Sequence, residues 1–155
     1  MFAIFIIAIP FLGIPVLFIT IALFSLMLIH ELGHAFVAQR LGYKAYRITI
    51  YPIVGLCFSE PPYSAYEAAL IAWGGVTAQF LLFVPATTIL ILFGNSSVGS
   101  VNVLLVAFSY INACMIVMNL LPFAPFDGKQ AWQLPIILLR AKWTMYQLKR
   151  KKILK

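Results

Sequence analysis

With 155 residues, 63% of them hydrophobic and only 10% charged, the chain falls outside the range of soluble globular proteins, which are about half apolar and a quarter charged. A mean hydropathy of +1.01 agrees, and marks an integral membrane protein of one domain with no visible internal repeat. The net charge of +7 gathers at 40–47 and 129–155, beside apolar segments, so a membrane surface accounts for it better than a nucleic acid.

Residues 1–14 are apolar but carry Pro10 and Gly13, with Pro15 just after. A bilayer takes about 20 residues to cross, so this stretch reads as a lead-in or a kinked extension of the next helix. The N-terminus has no basic segment, and no cleavable leader is expected. Residues 16–40 predict the first spanning helix, about 37 Å long, ended by Gly42. Its second half holds His30-Glu-Leu-Gly-His34, with both histidines of the chain. Residues four apart share a helix face, so His30 and His34 can offer two imidazole nitrogens to one metal ion. Glu31 is turned away from that pair but stays at the metal's edge. This is the H-E-x-x-H arrangement of two zinc ligands and a general base.

Between residues 43 and 60 the periodicity changes. Tyr46, Ile48 and Ile50 alternate with Arg47, Thr49 and Tyr51, which predicts a strand. After Pro52, residues 53–58 predict a second, in which Gly55 implies a bulge or a close backbone approach. Such a pair cannot lie bare in lipid and belongs at the interface or against the helices. Residues 68–93 predict the second spanning helix, 94–100 a short polar loop, and 101–121 the third. The stretch 122–128 is a break with two prolines. Residues 129–139 can resume as a short helix despite Pro135, and the tail 140–155 is basic, with Trp143 and Tyr146 as interfacial anchors. The fold class expected is an all-α polytopic membrane protein of three main helices, the third broken before Asp127, with a small β-strand pair. Every Lys and Arg lies after the first helix or from Lys129 onward, so the positive-inside rule puts strands, active-site side and tail in the cytoplasm.

The chain has four acidic residues, Glu31, Glu60, Glu67 and Asp127. A zinc site needs a third protein ligand and an open position for water. No third histidine exists. Cys57 and Cys114, too few for a disulfide framework, read as packing residues. The third ligand is therefore a carboxylate. Asp127 fits by depth: His30 lies about 15 Å of helix before Arg40, and Asp127 about 20 Å before Arg140 if that stretch is helical. Glu60 and Glu67 flank the strands and are expected at the surface.

Two stretches, His30-Glu-Leu-Gly-His34 and Asn119-Leu-Leu-Pro-Phe-Ala-Pro-Phe-Asp127-Gly128, carry a resemblance to the site-2 protease family of intramembrane zinc metalloproteases. The second resembles that family's Asn-x-x-Pro…Leu-Asp-Gly signature, with Phe126 for the leucine and Lys129 where a second glycine is common. Gly74-Gly75-Val76-Thr77-Ala78-Gln79 is a weaker match to Gly-Pro-x-x-Asn, with Val76 for the proline and Gln79 for the asparagine. The resemblance covers about residues 16–140. It implies one zinc ion held by His30, His34 and Asp127, Glu31 as base, and peptide hydrolysis within or near the bilayer. With no appended PDZ or CBS-type domain expected, the chain would be a minimal core.

A substrate helix must unwind before its carbonyls can react, and the strand pair, through Tyr46, Ile48 and Ile50, is a candidate to hold the unwound segment by edge pairing. Asn119 has two readings: it orients substrate or assists an oxyanion, or it satisfies carbonyls freed by the proline break. Gln79 and Asn112 read as interhelical glue, and Gly74, Gly75 and Ala78 as close-packing residues. The expected partners are a membrane-protein substrate helix and the lipid bilayer. Two rival functions stand beside the protease: a noncatalytic zinc-binding membrane protein, such as a transporter, and an adaptor for single-span partners. Glu31 argues against the transporter, because transport needs ligands and no base beside them.

Overall fold

The computed structural model describes residues 14–51, 55–94 and 98–153. The lead-in expected over 1–14, except Ile14, the first two residues of the strand expected over 53–58 and the centre of the 94–100 loop lie outside the described residues. Helix α1 runs Ile14–Arg40. It closes on Gly42 at φ 91°, with Tyr43 N donating to Ala38 O at 2.9 Å and Gly42 N to Gln39 O at 3.0 Å. That left-handed turn is the usual glycine stop for a helix.

Strands β1 (Ala45–Ile50) and β2 (Gly55–Ser59) form one antiparallel pair. Ile50 faces Gly55, Ile48 faces Cys57 and Arg47 faces Phe58. The register slips between Ala45 and Arg47, so the bulge is at Tyr46 and not at Gly55. Of the two readings of Gly55, only the close approach is realised.

Helix α2 runs Ala65–Phe93, three residues longer at its start than periodicity predicts. The reason is a cap. Ser64 Oγ accepts from Glu67 N at 3.2 Å and donates to the Glu67 carboxylate at 2.8 Å, which extends the helix back over Ala65 and Tyr66. Glu67 also accepts from Tyr43 Oη at 3.0 Å, tying the end of α1 to the start of α2. The other surface acid, Glu60, accepts from Lys44 N at 3.1 Å and Tyr46 Oη at 2.8 Å. Both therefore serve the fold.

The third predicted helix is present over Gly99–Asn119 but is not uniform. It comprises α3 (Gly99–Val106), a π-helical turn (Ala107–Ile111) and α4 (Asn112–Asn119). A π turn inserts one extra residue and rotates the helix beyond it. Here Asn112 is fully buried and donates through Nδ2 to Gln79 O at 2.9 Å across the α2 interface. Among the described residues three helices, Val16–Arg40, Ala65–Phe93 and Gly99–Asn119, are long and apolar enough to cross a membrane. Their outer faces carry bare apolar side chains such as Phe36, Leu81, Ile91 and Val117.

Beyond the break come α5 (Gly128–Ala131) and α6 (Gln133–Ile153). The basic tail expected from residue 140 is thus not separate, because the helix runs through Arg140 to Ile153. Pro135 is no obstacle, since it lies in the first turn, where backbone N–H groups have no intrahelical partner.

The crossing of α1 and α2 positions everything else. At Gly33 a side chain would collide with Gly74 O, and one at Gly74 would lie 2.6 Å from Gly33 O. The two backbones touch at this point, with Ala78 alongside. The close-packing role expected of Gly74 and Ala78 is what the geometry shows. Gly33, inside the histidine motif, is the other half of the contact.

Candidate metal centre

Beside Gly33 the helix α1 presents His30, three residues before it, and His34, the next residue, both buried. Their rings stand edge to face, with centroids 4.6 Å apart. Each Nδ1 has a fixed acceptor on α2: Gln79 Oε1 at 3.2 Å for His30, and Ile71 O at 2.8 Å for His34. A carbonyl oxygen can only accept, so each Nδ1 carries the proton. In the neutral imidazoles each Nε2 is then a bare lone pair.

These two lone pairs face one another at 3.0 Å. Asp127 Oδ2, brought in by the break after α4, lies 2.8 Å from His30 Nε2 and 3.1 Å from His34 Nε2. Three acceptors thus converge with no proton among them, which is repulsive unless a cation holds them together. Zinc with ligands near 2.0 Å in a tetrahedron has ligand–ligand edges of about 3.3 Å. The observed triangle, with sides of 2.8, 3.0 and 3.1 Å, is slightly tighter. Two imidazoles and a carboxylate with an unshared side are also a donor set of the catalytic type. The residues fit a zinc ion. Among the described residues, this is the one cluster of three or more His, Cys, Asp or Glu able to hold a metal.

Gly75 keeps the space in front of the imidazoles clear, because a side chain there would lie 2.5 Å from His34 Nε2 and 2.7 Å from His30 Cε1. Its role is at the site rather than in helix packing. Asp127 reaches the histidines because the chain doubles back. A side chain at Gly128 would strike the carbonyls of Leu120 and Leu121. Trp132 Nε1 donates to Leu120 O at 2.7 Å, and Trp73 Nε1 to Ala131 O at 3.0 Å. The break is thus clamped to both α4 and α2.

Glu31 is buried beside the histidines, only 6% exposed. Its carboxylate lies against Gly55 of β2. Asn119 Nδ2 lies 3.5 Å from Gln79 Oε1, at the edge of hydrogen-bonding range. Tyr46 is exposed with its hydroxyl on Glu60, while Ile48 and Ile50 are the cross-strand partners of Cys57 and Gly55. The strand next to Glu31 is therefore β2, and β1 lies one strand further out.

Sequence reasoning missed the parts played by Gln79, Ile71 O and Gly75. Gln79 had a signal, since it stands where the resemblance places an asparagine. A main-chain acceptor such as Ile71 O leaves none.

No family model matches the chain. A curated protein of Methanocaldococcus jannaschii, named Zinc metalloprotease MJ0392, is 30% identical to it over 112 residues. The match covers 70% of this chain and 31% of that protein, so the chain spans about a third of its relative's length. The chain is similar to a named zinc metalloprotease and carries a His-His-Asp cluster able to hold a metal ion.

Proposed function

We propose that the chain is a zinc-dependent intramembrane endopeptidase of the site-2 protease type, acting on membrane-spanning substrates. The observation that carries this reading is the meeting of His30 Nε2, His34 Nε2 and Asp127 Oδ2, with the Glu31 carboxylate buried next to them. The name of the relative supports the same chemistry.

His30, His34 and Asp127 hold the ion, and Gln79 and Ile71 O fix the tautomers that make this possible. A bound zinc ion supplies Lewis-acid chemistry, acidifying water and polarising a peptide carbonyl. Glu31 accepts the proton that water gives up as its oxygen attacks the carbonyl carbon. It returns that proton to the amide nitrogen as the C–N bond breaks, leaving a new carboxyl end and a new amine. A general base must lie within hydrogen-bond reach of the proton it takes, and Glu31 has its place one residue from a ligand. A zinc carrier without hydrolysis has no use for that carboxylate.

The three apolar helices support residence in a bilayer, and the charge distribution supports a cytoplasmic active-site side and C-terminus. The hairpin is the element available to hold an unwound substrate segment by main-chain pairing.

A cleavage assay on a substrate helix, with bound zinc quantified, tests the reading. Glu31→Gln is expected to keep zinc and lose cleavage, and Asp127→Ala to lose zinc. Undiminished cleavage by Glu31→Gln would end the proposal.

A further inference from the structure

Glu31 comes one residue after His30, so helix geometry sends its side chain about 100° around α1 from the ligand face. An unrestrained carboxylate there would turn outward. It is instead buried, and the reason lies on another element. Along β2, Gly55, Cys57 and Ser59 are half-buried, while Leu56 and Phe58 are exposed. Alternate residues share a face, so 55, 57 and 59 form the inward side of the strand. At Gly55 an added side chain would collide with Glu31 Oε1 and lie 2.7 Å and 2.8 Å from its Cγ and Cδ.

We propose that β2 is the positioning element for Glu31: Gly55 leaves the volume that the carboxylate occupies, and the strand packed on it keeps the carboxylate beside the histidines. The catalytic consequence rests on the protease reading above, whereas the contact does not. The strand whose inward face meets the base acts through Glu31. This assigns Gly55 a function that no side-chain chemistry would reveal, because the contribution is an absence of side chain. It also separates the two strands: β2 serves the base, and β1 carries the outer edge of the hairpin.

Two measurements on the full chain in a bilayer mimetic test this. The first is amide hydrogen exchange across 55–59 in wild type and Glu31→Ala, both stripped of zinc. Loss of the side chain packed against Gly55 is expected to speed exchange across 55–59 by about tenfold. Unchanged protection would overturn the proposal whatever the protein's activity. The second is a double-mutant cycle. Gly55→Ala is expected to lower kcat by about 10- to 100-fold, with KM and bound zinc held. In a Glu31→Asp background, where the shorter carboxylate clears the added methyl, the same change is expected to cost less than about twofold. Losses that simply multiply would mean Gly55 acts on the fold alone, and would also overturn it. If wild type cleaves nothing, the protease reading fails, and the exchange experiment still decides the positioning claim.

Discussion

Gln79 Oε1 lies 3.2 Å from His30 Nδ1, and this contact leaves Nε2 as the nitrogen that faces Asp127. Asn112 holds the backbone of the same residue through Gln79 O, at the point where the π turn rotates it inward. Partners of this kind change metal affinity by about 10- to 100-fold when removed. Gln79→Leu is therefore expected to weaken zinc binding by that factor in a competitive chelator titration. Gln79→Glu, which places a carboxylate on the same N–H, is expected to keep zinc. Equal affinity in wild type and Gln79→Leu would show that His30 is oriented by something else.

The glycines of the α1–α2 crossing predict a contrast between stability and metal binding. Gly33→Ala drives a methyl into Gly74 O, and backbone cannot move aside as a flexible side chain would. Overpacking of this kind costs about 1–3 kcal/mol, and a lower midpoint of thermal unfolding is expected for the zinc-free protein. Gly75→Ala places its methyl against His34 Nε2 and the His30 ring instead. Its main effect is expected on zinc affinity. If both variants lose stability equally and neither loses zinc, Gly75 is a packing residue like Gly33.

Much of this was legible in the sequence, and for identifiable reasons. Hydropathy and length bring out three long helices because apolar composition alone sets them. The i, i+4 histidines are a local pattern, and Asp127 is found because so few acids exist in the chain. What escaped has long-range causes. The π turn at 107–111 has no proline or glycine to announce it, since its reason is Asn112 reaching α2. The early start of α2 hangs on the Ser64 cap, and the burial of Glu31 on a strand more than twenty residues away. The helix through Arg140 escaped because the basic run from residue 140 reads as a separate tail, although Lys and Arg are good helix formers.

The hairpin carries an acid-sensitive joint outside the membrane-spanning helices. The Lys44 N–H and then the Tyr46 hydroxyl hold the Glu60 carboxyl below its ordinary value of 4.5. The same bond raises the Tyr46 phenol, which would lose it on giving up its proton. A carboxyl lowered in the folded state contributes stability that is fully present above its unfolded value. That contribution is lost as pH falls through the folded value. Amides of 45–50 are thus expected to exchange faster, relative to α2, once pH drops below about 4.5. Glu60→Gln should remove that pH dependence, and a profile unaltered by the substitution would place the acid-sensitive group elsewhere.

Asp127 reaches the histidines only because the chain after α4 is clamped, so parts of the clamp that never touch the metal should still govern its binding. Trp132 Nε1 donates to Leu120 O at 2.7 Å, while Gln130 N and Ala131 N both donate to Asp127 O, at 2.9 Å and 2.8 Å. Trp132→Phe keeps an aromatic ring and removes one hydrogen bond, a loss of about 0.5–1.5 kcal/mol. If all of it falls on the holding of Asp127, zinc affinity drops by no more than about tenfold. Gly128→Ala is the harsher change, since its methyl meets the Leu120 and Leu121 carbonyls and must displace the turn that delivers the aspartate. It is expected to approach Asp127→Ala in zinc affinity, although the ligand itself is intact. Isothermal titration with zinc on the three variants tests the order, Trp132→Phe mildest and Asp127→Ala most severe. A Gly128→Ala protein that binds zinc as wild type does would show that the tight return of the chain is not what places Asp127.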